Sequence, residues 1–137
     1  MEKITYKLYE ILSETRNQEN KLPCKEIIEM DLRRMDFKID DEKKTHIKQE
    51  IKKCLELFQL YRPDIGYVQG MSYFAWMILI RMKSYQAFVC FSNIILHDPF
   101  INALYMFKRE KINSIINFYL ECLEDKKPKL SKHMIKL

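Results

Sequence analysis

The chain contains only two glycines in 137 residues, and neither is spent on a helix C-cap or a hairpin. The four cysteines (Cys24, Cys54, Cys90, Cys122) stand thirty or more residues apart, with no CxxC pair and no Cys/His cluster. That spacing excludes a zinc module and a small disulfide scaffold, and it predicts free thiols on apolar faces in a reducing compartment. The three histidines (His46, His97, His133) are equally scattered, so no metal site and no cofactor is expected. No segment has the two-residue period of a strand, no internal repeat is visible, and Met1-Glu2-Lys3 leads straight into an amphipathic pattern rather than a signal peptide. No apolar run is long enough to span a bilayer, so no transmembrane segment is expected.

What is present is helical by period. An apolar fraction of 47% and a charged fraction of 31% describe an ordinary globular chain of one domain, 1–137. Ile4, Leu8, Ile11 and Leu12 predict a first helix, and Ile27, Ile28, Met30 and Leu32 a short second one. Asp40 and Asp41 are candidate caps for a long third helix carrying Ile47, Ile51, Leu55 and Phe58. Residues 70–80 are apolar all round and predict a buried central helix. Ser84 is a candidate cap for a helix with Ala87, Phe88, Phe91, Ile94 and Ile95 on its core face, which Asp98-Pro99 breaks. Leu104, Phe107, Ile112, Ile116, Tyr119 and Leu123 form a further run, and Pro128 opens a last segment with Leu130 and Met134. Only Arg81, Lys83 and Asp98 carry charge between Ile65 and Met106, which places the core in the middle of the chain. The expected fold class is all-α. The last segment reaches Leu137 with its apolar spacing intact and no C-cap, which predicts self-association through uncovered apolar surface.

The net charge of +5 would suit an anionic partner, but Lys alternates with Asp and Glu through the first sixty residues. The one-sided stretch is Lys126-Lys127-Pro128-Lys129 with Lys132, His133 and Lys136. It suits phosphates or acidic side chains, and reads more simply as a solvated helix face. Aromatic residues are not interleaved with these lysines, so no nucleic-acid partner is expected.

Both glycines lie in Tyr61-Arg62-Pro63-Asp64-Ile65-Gly66-Tyr67-Val68-Gln69-Gly70-Met71, four residues apart around one glutamine. Glycine tolerates φ > 0 and lets another molecule approach the backbone, while Pro63 stiffens the entry. This predicts a shaped loop that leads into a helix and presents Gln69. Its carboxamide can hold a water while contacting a phosphate oxygen, or simply satisfy a backbone group in a tight turn. The second candidate is Ile28-Glu29-Met30-Asp31-Leu32-Arg33-Arg34, where Asp31 and Arg34 share a helical face. A carboxylate there can orient a guanidinium and leave donors free for an anion, and Arg33 is an equal candidate on chemistry alone.

Together, Ile-x-x-Asp-x-x-Arg and Tyr-x-Pro-x-x-Gly-Tyr-x-Gln-Gly-Met resemble the TBC-domain GTPase-activating proteins that act on Rab GTPases. Ala87–Phe91 and residues 118–137 are similar to the helices that follow in that family, so the likeness covers most of the chain. The resemblance implies a multi-helix TBC-like fold, of which this chain would be the N-terminal catalytic part. It implies a GTPase activator, not itself an enzyme, that supplies two catalytic groups in trans. Arg34, favoured over Arg33 by the family's spacing, would neutralise charge between the β- and γ-phosphates, and Gln69 would orient the attacking water. Asp31 would support Arg34, Tyr67 would pack or hydrogen-bond beside the Gln69 loop, and Gly66 and Gly70 would let the backbone pass close to nucleotide and partner. The implied partner is a GTP-bound Rab-type GTPase, in a cytoplasmic setting with attachment to membranes through that GTPase. The alternative is a module of the same fold that docks a GTPase or other partner without accelerating hydrolysis. The family usually continues after the arginine with Thr and shortly after with Pro, whereas this chain has Met35-Asp36-Phe37.

Overall fold

A computed structural model describes residues 4–18, 22–36 and 40–134. Phe37, Lys136 and Leu137 lie outside the described residues. Eight α-helices and no strand are present among the described residues, so the chain is all-α. They fall into two compact units, residues 1–94 and 95–137. The first holds α1 (Tyr6–Gln18), α2 (Lys25–Arg34), α3 (Asp41–Tyr61), α4 (Met71–Leu79) and most of α5 (Ser84–His97). The second holds α6 (Pro99–Tyr105), α7 (Arg109–Lys126) and α8 (Pro128–Met134).

In the first unit the long α3 is the common neighbour of α1, α2 and α4. Its apolar spacing is dense in the second half, where Ile51, Cys54, Leu55, Leu57 and Phe58 are all buried. Phe58 meets Phe91 of α5 edge to face, with ring centroids 5.2 Å apart and planes at 88°. Phe74 of α4 packs on the same Phe91 at 5.6 Å. Tyr9 of α1 joins through Tyr85 and Phe88. Such pairs add roughly 0.5–1.5 kcal/mol beyond the area they bury.

Two polar side chains inside this core are held by partners. Glu56 is only 2% exposed, and its Oε2 accepts from Arg16 Nε of α1 at 2.6 Å. Gln59 Oε1 accepts from the Cys24 backbone N–H at 3.1 Å, which fixes the entry to α2 against α3. Gln59 Nε2 is buried without a partner, but the bonds that are made offset part of the burial cost and so favour one register of α1 and α2 on α3.

Several sequence expectations change in the structure. The 70–80 segment is not buried all round: in α4 Met71, Ala75, Ile78 and Leu79 face inward, while Tyr73 and Met77, and Ile80 just after the helix, are exposed. Apolar composition makes burial favourable but does not supply a neighbour, and α2, α3 and the Phe91 ring of α5 leave part of α4 uncovered. Ile11, Ile27 and Met30 are likewise exposed. Asp40 takes the N-cap position of α3 but makes no side-chain cap bond, and Asp41 lies inside the first turn, where it pairs with Lys44; Ser84 makes no cap bond either. The Asp40 carboxylate pairs with Lys43, and the Ser84 hydroxyl donates to Glu50 of α3. Cys122 is exposed, whereas burial with the nearby Glu50 charge pushes the Cys54 thiol up to about 12.

In the second unit, Asp98 does more than break a helix. Its Oδ1 accepts from the N–H groups of Phe100 and Ile101 at 3.0 and 2.8 Å, capping α6 with Pro99 in the first turn. The run from Leu104 to Leu123 is divided, because Phe107 takes a left-handed φ of 51° between α6 and α7. The α7 helix packs against α6 and α8, yet none of its residues is fully buried.

The aromatic core sets the first prediction. Phe91→Ala should destabilise the protein by about 3–5 kcal/mol, read from chemical denaturation. Phe118→Ala, at a side chain 68% exposed, should change stability by less than about 0.5 kcal/mol.

Candidate functional site

On α2 the apolar residues Ile28 and Leu32 point into the core, and at helical spacing they bring Asp31 with them. Asp31 is thus a carboxylate only 7% exposed. A buried carboxylate needs hydrogen-bond donors. Two come from the glycine-containing loop thirty-odd residues on. The Tyr67 hydroxyl donates to Asp31 Oδ2 at 2.6 Å, and the Gly70 N–H approaches the same oxygen at 3.4 Å. The other oxygen, Oδ1, lies 3.9 Å from Arg34 Nη1.

Arg34 itself points outward, with its side chain 61% exposed. It occupies the last position of α2, and the residue after it explains why the helix end stays put. Met35 is extended and 1% exposed, and its N–H donates to the Asp31 carbonyl at 3.2 Å. The departure from the resembled pattern therefore anchors the end of α2 by apolar burial. Arg33 is exposed on the same last turn, and no contact to the Gln69 loop distinguishes it.

The loop is built by a sequence of local constraints. The C-terminus of α3 is closed by the Arg62 N–H on the Phe58 carbonyl at 2.7 Å. Arg62 then grips Asp64 with two hydrogen bonds, Nε–Oδ1 at 2.8 Å and Nη2–Oδ2 at 2.6 Å. This pair holds the Asp64 carboxyl below its ordinary range and the Arg62 guanidinium above its own. The Arg62 carbonyl accepts from Ile65 and Gly66, and the chain reverses at Gly66, where φ is +64°. Gly70 takes φ +96° as the residue that opens α4. A Cβ at either glycine would meet nothing within 4 Å, so the requirement is backbone conformation and not internal crowding. Met71, fully buried, pins the far end.

Gln69 lies between these anchors and is exposed. Among the described residues its side chain makes no hydrogen bond, so it does not satisfy a turn. The structure brings Asp31, Arg34, Tyr67 and Gly70 into one contact chain, with Gln69 and Gly66 on the loop that this chain holds. Sequence reasoning missed Met35, the Arg62–Asp64 pair and the buried Ser72 beside Tyr67. The Arg-x-Asp spacing was a usable signal for the pair, whereas nothing local announced the burial of Met35. Among the described residues no group of His, Cys, Asp and Glu could hold a metal ion.

Burial and the bond to Asp31 raise the Tyr67 hydroxyl above the usual tyrosine range. The native state thus holds this proton more tightly than an unfolded tyrosine, whose pKa is about 10. The stability involved is present below about pH 10 and lost as pH rises toward the native value. Tyr67→Phe should flatten this alkaline loss in denaturation measured from pH 8 to 11, at the expense of about 1–3 kcal/mol near neutrality from the donor withdrawn from Asp31. A residual alkaline slope should persist from Cys54 and Tyr105, both of which burial also raises.

A family model for the Rab-GTPase-TBC domain matches residues 2–137. Over 89 residues the chain is 27% identical to a TBC domain-containing protein of Schizosaccharomyces pombe, covering 65% of this chain and 19% of that protein. It is 33% identical over 82 residues to human TBC1 domain family member 14, covering 60% of this chain and 12% of the relative. It is 32% identical over 79 residues to TBC1 domain family member 12 of Xenopus tropicalis, covering 58% and 11%. The match thus spans less than a fifth of the length of each of these relatives. No single helix among the described residues is long and apolar enough to cross a membrane. With nearly the whole chain matched and the fold all-α, this protein belongs to the Rab-GTPase-TBC domain family.

Proposed function

We propose that this chain accelerates GTP hydrolysis by a GTP-bound Rab-type GTPase, acting as the catalytic part of a TBC domain with Arg34 and Gln69 supplied in trans. The observation that carries this reading is the shared Asp31 carboxylate, which ties the end of α2 to the loop that presents Gln69. Both proposed fingers are solvent-exposed at the tips of segments that are otherwise anchored. That is the arrangement expected of groups that act on a partner and not on their own chain.

In this mechanism the Arg34 guanidinium neutralises charge that develops between the β- and γ-phosphates. The Gln69 carboxamide accepts from the attacking water and donates to a phosphate oxygen. Asp31 and Tyr67 are positioning residues. An arginine supplied in trans is worth roughly 10³–10⁵ in rate, or about 4–7 kcal/mol of barrier. A second reading, docking without acceleration, is supported by the flank Met35-Asp36, which differs from the family's usual continuation. Association between copies also belongs to this proposal, since α7 leaves Ile116, Phe118 and Tyr119 exposed. Rising sedimentation coefficients with concentration would support it, and an unchanging monomer would overturn it.

The test is single-turnover GTP hydrolysis by a panel of Rab proteins. Acceleration of about 10³ or more by the unmodified chain is expected with at least one member, and Arg34→Ala and Gln69→Ala should each remove most of it. Binding without acceleration would replace this mechanism with the docking reading.

A further inference from the structure

The second unit carries a feature that the proposed activation does not use. Where α7 meets α8, the chain forms an open hollow of about 380 Å³, lined by Lys126, Lys127, Pro128, Lys129 and Leu130. Its wall is almost wholly apolar, because it consists of the proline ring, the leucine and the methylene stems of three lysines. From residue 126 to residue 134 there is no acidic side chain, while Lys126, Lys127, Lys129, Lys132 and His133 are all exposed. Leu130 and Met134, at i, i+4 on α8, are also exposed, at 49% and 44%. Two acidic residues, Glu124 and Asp125, directly precede this segment; Asp125 is paired with Lys126 at 3.3 Å, and no carboxylate lies among the cations from Lys127 onward within it.

We propose that this α7–α8 junction docks on an anionic phospholipid surface. Apolar side chains ringed by long cationic ones match the boundary of a bilayer, where ammonium groups meet acidic headgroups and the apolar groups enter the layer beneath. The charge on the page favours a membrane over a discrete phosphate or a phosphorylated peptide. Such ligands are gripped by planar, bidentate arginine, and no arginine follows Arg109. Lysines on flexible stems, with Lys126 at 81% side-chain exposure, instead suit a diffuse sheet of negative charge. The contact would be the chain's own, independent of any GTPase and of the hydrolysis mechanism above.

The experiment is co-sedimentation of the full chain with phosphatidylserine/phosphatidylcholine vesicles and with phosphatidylcholine vesicles, at low and high salt. Binding is expected to the first only, lost at high salt, and unaffected by millimolar inorganic phosphate. The triple variant Lys126→Glu/Lys127→Glu/Lys129→Glu should lose about a hundredfold in partition coefficient, at about fivefold or more per lysine. A control of equal charge change on the first unit, Lys7→Glu/Lys25→Glu/Lys43→Glu, should lose far less. Circular dichroism of both variants confirms that they are folded. Absent binding by the unmodified chain, equal binding to neutral vesicles, or equal loss in the two variants would overturn the proposal. Competition by inorganic phosphate would overturn it too, in favour of a simple anion site.

Discussion

Everything proposed for this site depends on one carboxylate that the fold has taken out of water. Asp31 sits on the apolar face of α2 because Ile28 and Leu32 must be buried, and a carboxylate in that position is costly unless donors reach it. The Tyr67 hydroxyl and the Gly70 N–H are those donors. The cost of burial therefore becomes a constraint: the loop after α3 must pass over α2 at one register, or the charge is left without partners. Breaking such an arrangement from one side is worse than never having built it.

The same constraint divides the site into fixed and free parts. Met35 and Met71 are buried at the ends of the two segments, and Arg62 holds Asp64 at the start of the loop. Arg34 and Gln69 are left exposed between these anchors, as is Arg33 beside Arg34. In the proposed mechanism, a finger on an anchored base would lose less conformational freedom when a partner closes around it, leaving more of the interaction for the reaction. The exposed Arg62–Asp64 pair contributes little to global stability by itself. Its effect is local, since it turns the chain toward Gly66.

Much of this was legible in the sequence because the chain is so sparing with glycine. Two glycines in one loop, each tolerant of positive φ, marked a shaped turn, and Gly66 and Gly70 both adopt positive φ. The helical period correctly located α1 to α5, and the breaks at Pro99 and Pro128 fell where the ring forbids continuation. The pairing of Asp31 with Arg34 was visible as helical spacing, but the stronger bonds of Asp31 to Tyr67 and Gly70 span 36 and 39 residues and leave no local pattern. Burial on α4 and α7 was the least legible property. An apolar stripe records what a helix can bury, and only the neighbours decide what it does bury, as Met77 and Phe118 show. Phe107 escaped for the opposite reason, since a left-handed aromatic residue is the last that propensity would choose for a break.

The most direct test of the central constraint is a double-mutant cycle between Asp31→Ala and Tyr67→Phe, read by denaturant unfolding at neutral pH. If the buried carboxylate and the phenol act through one bond, the double variant should recover about 1 kcal/mol or more relative to the sum of the single losses. Additivity within about 0.3–0.5 kcal/mol would contradict the account, because Asp31 and the Gln69 loop would then be independent.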